Sequence, residues 1–112
     1  MSIQLAFQTV KLRQICESTV SAKRSLGEGA ARSLHARIAD VCACTSPVDV
    51  VELGFAAFDT SSDVRIFIYI EGGYTVTATA NNRPEPRLVD GQLDWKRVTR
   101  LKILSIEPAN EN

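Results

Sequence analysis

The order of hydrophobic patterns along the chain predicts an α+β domain, with an N-terminal strand and a helical hairpin packed on a mainly antiparallel sheet. Three observations lead there. The first residues alternate with period two. Residues 9–43 recur every three or four positions. Three strand-like stretches then bunch in the second half, without the alternating helices a parallel sheet needs.

Residues 2–8 carry Ile3, Leu5 and Phe7 in alternation with Ser2, Gln4 and Ala6, which reads as a short strand. Leu12, Ile15, Thr19, Ala22 and Leu26 then mark one helix over residues 9–26, with Thr9 as its cap and Gly27 as its stop. A second helix is expected over residues 28–43, with Ala30, Ala31, Leu34, Ile38 and Val41 as its apolar stripe. The break at Leu26-Gly-Glu-Gly makes the two an αα-hairpin. Ser46-Pro47-Val48-Asp49 predicts one more helical turn, and residues 54–62 read as loop.

Residues 64–71 (VRIFIYIE) are β-branched and aromatic, the strongest strand signal in the chain. Gly72-Gly73 supplies a hairpin turn, and residues 74–80 (YTVTATA) return antiparallel. Pro84, Pro86 and Asp90-Gly91 mark a loop, and residues 98–107 (VTRLKILSIE) form the last strand. No repeat or low-complexity block interrupts residues 1–112, which read as a single domain.

Composition narrows the function. Thirteen Lys and Arg balance thirteen Asp and Glu in 112 residues, so a generally basic nucleic-acid binder is excluded and any such site must be a local patch. The three cysteines (Cys16, Cys42 and Cys44) and one histidine, His35, have no zinc-type spacing, so no metal or cofactor is expected. An odd number of thiols and an N-terminus without the pattern of a signal peptide lead to the expectation of a cytoplasmic protein. The apolar run at residues 64–70 is too short to span a bilayer, so no membrane partner is expected. His35 falls on the polar side of its helix and reads as a surface residue.

Period two assigns the strand faces. Arg65, Phe67, Tyr69 and Glu71 share one face; Thr75, Thr77 and Thr79 share another. In the last strand Thr99, Leu101, Ile103 and Ser105 alternate with Val98, Arg100, Lys102, Leu104 and Ile106. A sheet face left open by the helices would therefore gather Arg65, Tyr69, Arg100 and Lys102 among threonines. Cations hold phosphates and aromatic rings stack on bases, so this is the make-up of a single-stranded RNA surface. The competing reading is a solvated face, since Thr suits strands and Lys or Arg guards sheets against aggregation.

The C-terminal stretch Asp90-Gly-Gln-Leu-Asp-Trp-Lys-Arg-Val-Thr-Arg-Leu-Lys-Ile-Leu-Ser-Ile-Glu resembles the end of HigB-like killer proteins in the RelE/ParE toxin superfamily. The segments KLRQICES and AKRSLGEGAARSLHARIADVCACTSPVDV are similar to the first two helices of that family. The resemblance implies a RelE-like fold: an antiparallel sheet packed on a helical hairpin. It also implies a toxin of a bacterial type II toxin–antitoxin pair, a metal-independent endoribonuclease that cuts mRNA, often on the ribosome. Its implied partner is a small cognate antitoxin. Candidate RNA-binding residues are Arg65, Arg100 and Lys102 for phosphates, Tyr69 or Tyr74 for stacking, and Arg83 and Arg87 from the loop before the last strand.

The sequence departs from the family pattern in three places. The basic stretch expected before and within the second strand corresponds to residues 51–63, which hold no Lys, Arg or His. Thr75 stands where the family often has Arg, and Ile106-Glu107 is followed by Pro108 instead of an aromatic–His pair. Cations supply much of the rate in phosphoryl transfer. The expectation therefore divides into an active ribonuclease and a RelE-fold protein that acts only by binding RNA or protein.

Overall fold

The computed structural model describes residues 2–108. The chain runs β1 (Gln4–Phe7), α1 (Val10–Glu17), α2 (Thr19–Leu26), α3 (Glu28–Ala43), α4 (Pro47–Glu52), β2 (Ala56–Phe58), β3 (Arg65–Ile70), β4 (Tyr74–Ala80) and β5 (Arg100–Pro108), with a 3₁₀ turn at Trp95–Arg97 before β5. The strands form one five-stranded sheet in the order β1-β5-β4-β3-β2. β1 is parallel to β5, and the other pairings are antiparallel. The architecture is α+β with a mixed sheet.

The helix expected over residues 9–26 is two helices. Ser18 leaves helical geometry, and its hydroxyl accepts the Ser21 N–H at 3.2 Å to start α2. A serine side chain competes with the helix ladder in this way wherever its neighbours are weak helix formers, as Thr19, Val20 and Ser21 are. Thr9 caps α1 by accepting the Leu12 N–H at 3.1 Å. Gly27, at φ +88°, turns α2 into α3.

The segment expected to be loop at residues 54–62 contains the edge strand β2. Its Ala57 pairs with Phe67 and its Phe58 with Ile66. Three residues are too few for a period to register in sequence. The Phe58 ring meets Trp95 with centroids 4.7 Å apart, which closes the core beneath the 3₁₀ turn.

The core lies between the helices and one sheet face. Leu34 and Val41 of α3 join Ile66, Val76, Leu101 and Ile103 in one buried cluster. Each such aliphatic side chain contributes roughly 1.5–3 kcal/mol on burial. β3 alternates as its sequence requires: Ile66, Ile68 and Ile70 are buried and Arg65 and Tyr69 are exposed.

β5 breaks the simple alternation. A bulge shifts its register against β4, so that Ala78 faces Ile103 but Thr77 faces Ser105 and Val76 faces Ile106. One extra residue, Leu104, is absorbed there. Ser105 therefore lies on the open face, not with Leu101 and Ile103 as strict alternation predicts. Ile106 turns to the core side, where it packs against the buried cluster.

The β3–β4 connection is held against α3. A Cβ on Gly72 would sit 2.9 Å from the Ala30 Cβ, and Gly72 has φ +89°. Gly73 also has positive φ, at +81°, but open space around it. Gly72→Ala is therefore expected to destabilise the fold by about 2–4 kcal/mol, from the left-handed backbone and the clash together, and Gly73→Ala by about 1–2 kcal/mol from the backbone alone. Urea unfolding of the two variants measures the difference; equal losses would remove the contact with Ala30 as a constraint.

Candidate nucleic-acid interface

The face of the sheet away from the helices presents its side chains in rows fixed by the strand register. One row is Arg65, Thr79, Lys102 and Ala6 across β3, β4, β5 and β1. The next along β3 is Ala57, Phe67, Thr77 and Ser105. The third is Tyr69, Thr75 and Glu107. Arg100 sits two residues before Lys102 and pairs with Gln4 of β1.

These rows give the face a direction. Arg65, Lys102 and Arg100 gather at the end where β3 and β5 begin. Phe67 and Tyr69 occupy the middle of β3, beside the threonines of β4. Glu107 and Glu71 lie at the far end. Among the described residues, no ion pair involves Arg65, Arg100 or Lys102. Tyr69 is 47% exposed, so its ring is available to a stacking partner.

The other candidate residues stand elsewhere. Tyr74 pairs with Ile70 and packs on the core cluster, which puts it on the helix-covered face, away from Tyr69. Arg83 donates to the Asn82 carbonyl at 2.8 Å and lies 3.8 Å from Glu85. Arg87 is committed within its own loop. It donates to Asp63 at 2.6 Å, to the Gly91 carbonyl at 3.1 Å and to Glu85. Its bonds to Asp63 and then Glu85 raise its pKa further and hold it as a structural cation. Arg97 completes the brace, bonding Asp94 at 2.8 Å and the Arg87 carbonyl at 3.1 Å.

Asn82 is the residue that sequence reasoning missed. Its Oδ1 accepts the backbone N–H of Thr99 at 3.1 Å and of Arg100 at 3.0 Å, while its Nδ2 donates to the Thr99 hydroxyl at 3.1 Å. The Asn81 N–H donates to the Arg100 carbonyl at 2.9 Å. Together these bonds fix the start of β5 and the backbone that carries Arg100. An asparagine in a Pro-rich loop gives no sequence signal of this role, since such residues are common in turns.

His35 is half-buried and not a free surface group. Its Nε2 lies 3.1 Å from the Ile15 carbonyl and joins α3 to α1 on the helical side of the sheet. The thiols are all free. Burial, with Glu17 nearby, pushes Cys16 up to about 12. No group of His, Cys, Asp and Glu among the described residues has the arrangement to hold a metal. None of the described helices is long and apolar enough to cross a membrane.

Compared with known proteins, the chain matches no family model, no curated protein and no solved structure.

Two outcomes follow from these contacts. Asn82→Ala strands two backbone donors at the start of β5 and is expected to cost about 1–3 kcal/mol in thermal or urea unfolding. Asn82→Asp keeps the acceptor for the Thr99 and Arg100 N–H groups and loses only the N–H donated to the Thr99 hydroxyl, so it should retain more stability than Asn82→Ala. In thiol titration of the native protein at pH 8, Cys42 and Cys44 should react well before Cys16, whose thiolate is suppressed by burial. Simultaneous reaction of all three would contradict the buried placement.

Proposed function

We propose that the chain is a RelE/ParE-type protein of a toxin–antitoxin pair whose open sheet face binds single-stranded RNA. The observation that carries this reading is the cluster of Arg65, Lys102 and Arg100 at one end of a face whose next rows hold Phe67 and Tyr69. These cations, outside every ion pair among the described residues, release counterions when they meet phosphates, and the rings beside them supply sequence-tolerant stacking. Thr75, Thr77, Thr79 and Ser105 add hydroxyls that reach phosphate or sugar oxygens. The family assignment rests on the C-terminal resemblance and on the order of strand, helices and antiparallel strands that accompanies it. Its protein partner is then a small antitoxin.

Binding without cleavage is the better supported form. Attack of a ribose 2′-hydroxyl on its phosphate needs a group that moves protons at the site. Glu107 and Tyr69, which could move protons, stand two rows along the face from Lys102 and Arg65, and the chain's histidine lies on α3, bonded to Ile15 on the other side of the sheet. Arginine and lysine there stabilise phosphate charge.

Fluorescence anisotropy with a short labelled oligouridylate tests the reading. Arg65→Ala and Lys102→Ala should each weaken binding and lower the slope of log K against log salt by about 0.7. Tyr69→Ala should cost about 1–3 kcal/mol with little change in that slope. The labelled RNA should remain intact during the measurement. Wild-type affinity in an Arg65→Ala/Lys102→Ala double variant would remove the RNA face, and cutting of the RNA would restore the nuclease form.

A further inference from the structure

An open cleft of about 430 Å³ lies where α3 crosses the end of β3, lined by Arg32, Ser33, Arg37, Tyr69 and Glu71 among others. Tyr69 belongs both to this cleft and to the open face. Tyr69 therefore stands where the two surfaces meet. From Arg65, β3 places Phe67 and then Tyr69 at steps of roughly 6.6–6.8 Å, and the cleft follows.

We infer that this cleft is a subsite for the terminal phosphate of the RNA strand, an inference that rests on the RNA-binding reading of the open face. A phosphate monoester at a chain end carries nearly two negative charges at neutral pH, whereas an internal diester carries one. Two arginines line the cleft, and exchange of their carboxylate partners Glu28 and Asp40 for a ligand favours the more highly charged end of the strand. Guanidinium groups also match phosphate oxygens with paired N–H donors.

The arginines are prepared for this. Arg37 is held by stacking on Phe55, with its guanidinium carbon 4.6 Å from the ring centroid. Its Nε lies 3.3 Å from an Asp40 carboxylate oxygen but is buried and makes no hydrogen bond. Arg32 pairs with Glu28 at 3.1 Å, and those side chains are 77% and 67% exposed. An exposed pair one helical turn apart holds weakly, so a phosphate can displace the carboxylate. The Ser33 hydroxyl accepts the Glu71 N–H at 2.9 Å and keeps its own proton to donate. The cleft volume falls in the range of small-ligand sites.

The test compares oligouridylates of one length carrying a 5′-phosphate, a 3′-phosphate or hydroxyls at both ends. One phosphorylated form should bind about tenfold tighter than the hydroxyl form. Arg32→Ala, Arg37→Gln and Gly29→Leu should each erase that preference and leave the hydroxyl form bound as in wild type. A Cβ at Gly29 meets nothing within 4 Å, so leucine there narrows the cleft without straining α3. Circular dichroism of each variant confirms its fold. Binding of all three RNAs with equal affinity, or a preference that survives the three substitutions, overturns the subsite and leaves the RNA face intact. Failure of every RNA to bind overturns both.

Discussion

The structure depends on β5 lying between β1 and β4. It is the last strand in sequence, yet it pairs with the first strand in parallel and with β4 antiparallel. The Gln4 N–H bonds the Thr99 carbonyl at 2.9 Å, and the Gln8 N–H bonds the Ile103 carbonyl at 2.8 Å. The N-terminal strand thus has no place until the C-terminal strand is present. Parallel pairing also requires a long crossover, which α1 to α4 and the β2–β4 strands provide. The helices are held over one face because both ends of the crossover are tied to the same strand. Leu101 and Ile103 of β5, both fully buried, anchor that packing.

The same strand decides what the open face contains. Before its bulge, β5 turns Arg100 and Lys102 outward; after it, Ser105 and Glu107 are outward and Ile106 faces the core side. Without the extra residue the far end of β5 would expose Ile106 and bury Glu107 on the core side, at a heavy desolvation cost. The bulge lets one strand present cations at one end and a carboxylate at the other while its apolar residues stay covered. The charge gradient along the face is therefore a consequence of register.

Much of this was legible in the residues. The limits of α3 and β4 coincide with their hydrophobic patterns, because Gly27 and Gly72-Gly73 bound them. Arg65, Phe67 and Tyr69 face away from the core as period two requires. What was not legible depends on contacts distant in sequence. Ser18 splits a helix through one hydroxyl bond that a periodic stripe cannot reveal. β2 exists because β3 offers it an edge. Tyr74 fits a stacking role by composition, but its pairing with Ile70 turns it to the core. Arg87 looks like an available cation until Asp63, 24 residues away, is brought against it.

That last difference separates the cations of this chain into two groups despite its zero formal charge. Arg87 and Arg97 brace the loop between β4 and β5 through carboxylates and carbonyls, and so contribute little field beyond it. The loop in turn places Asn82 on the Thr99 and Arg100 backbone. Acidic residues are used to neutralise the loop arginines, while among the described residues Arg65, Arg100 and Lys102 on the strands beside it form no ion pair. A neutral protein can in this way carry a localised positive face. Because strand backbones hold them, these cations would lose less freedom in the proposed contact with a phosphate chain than loop residues would.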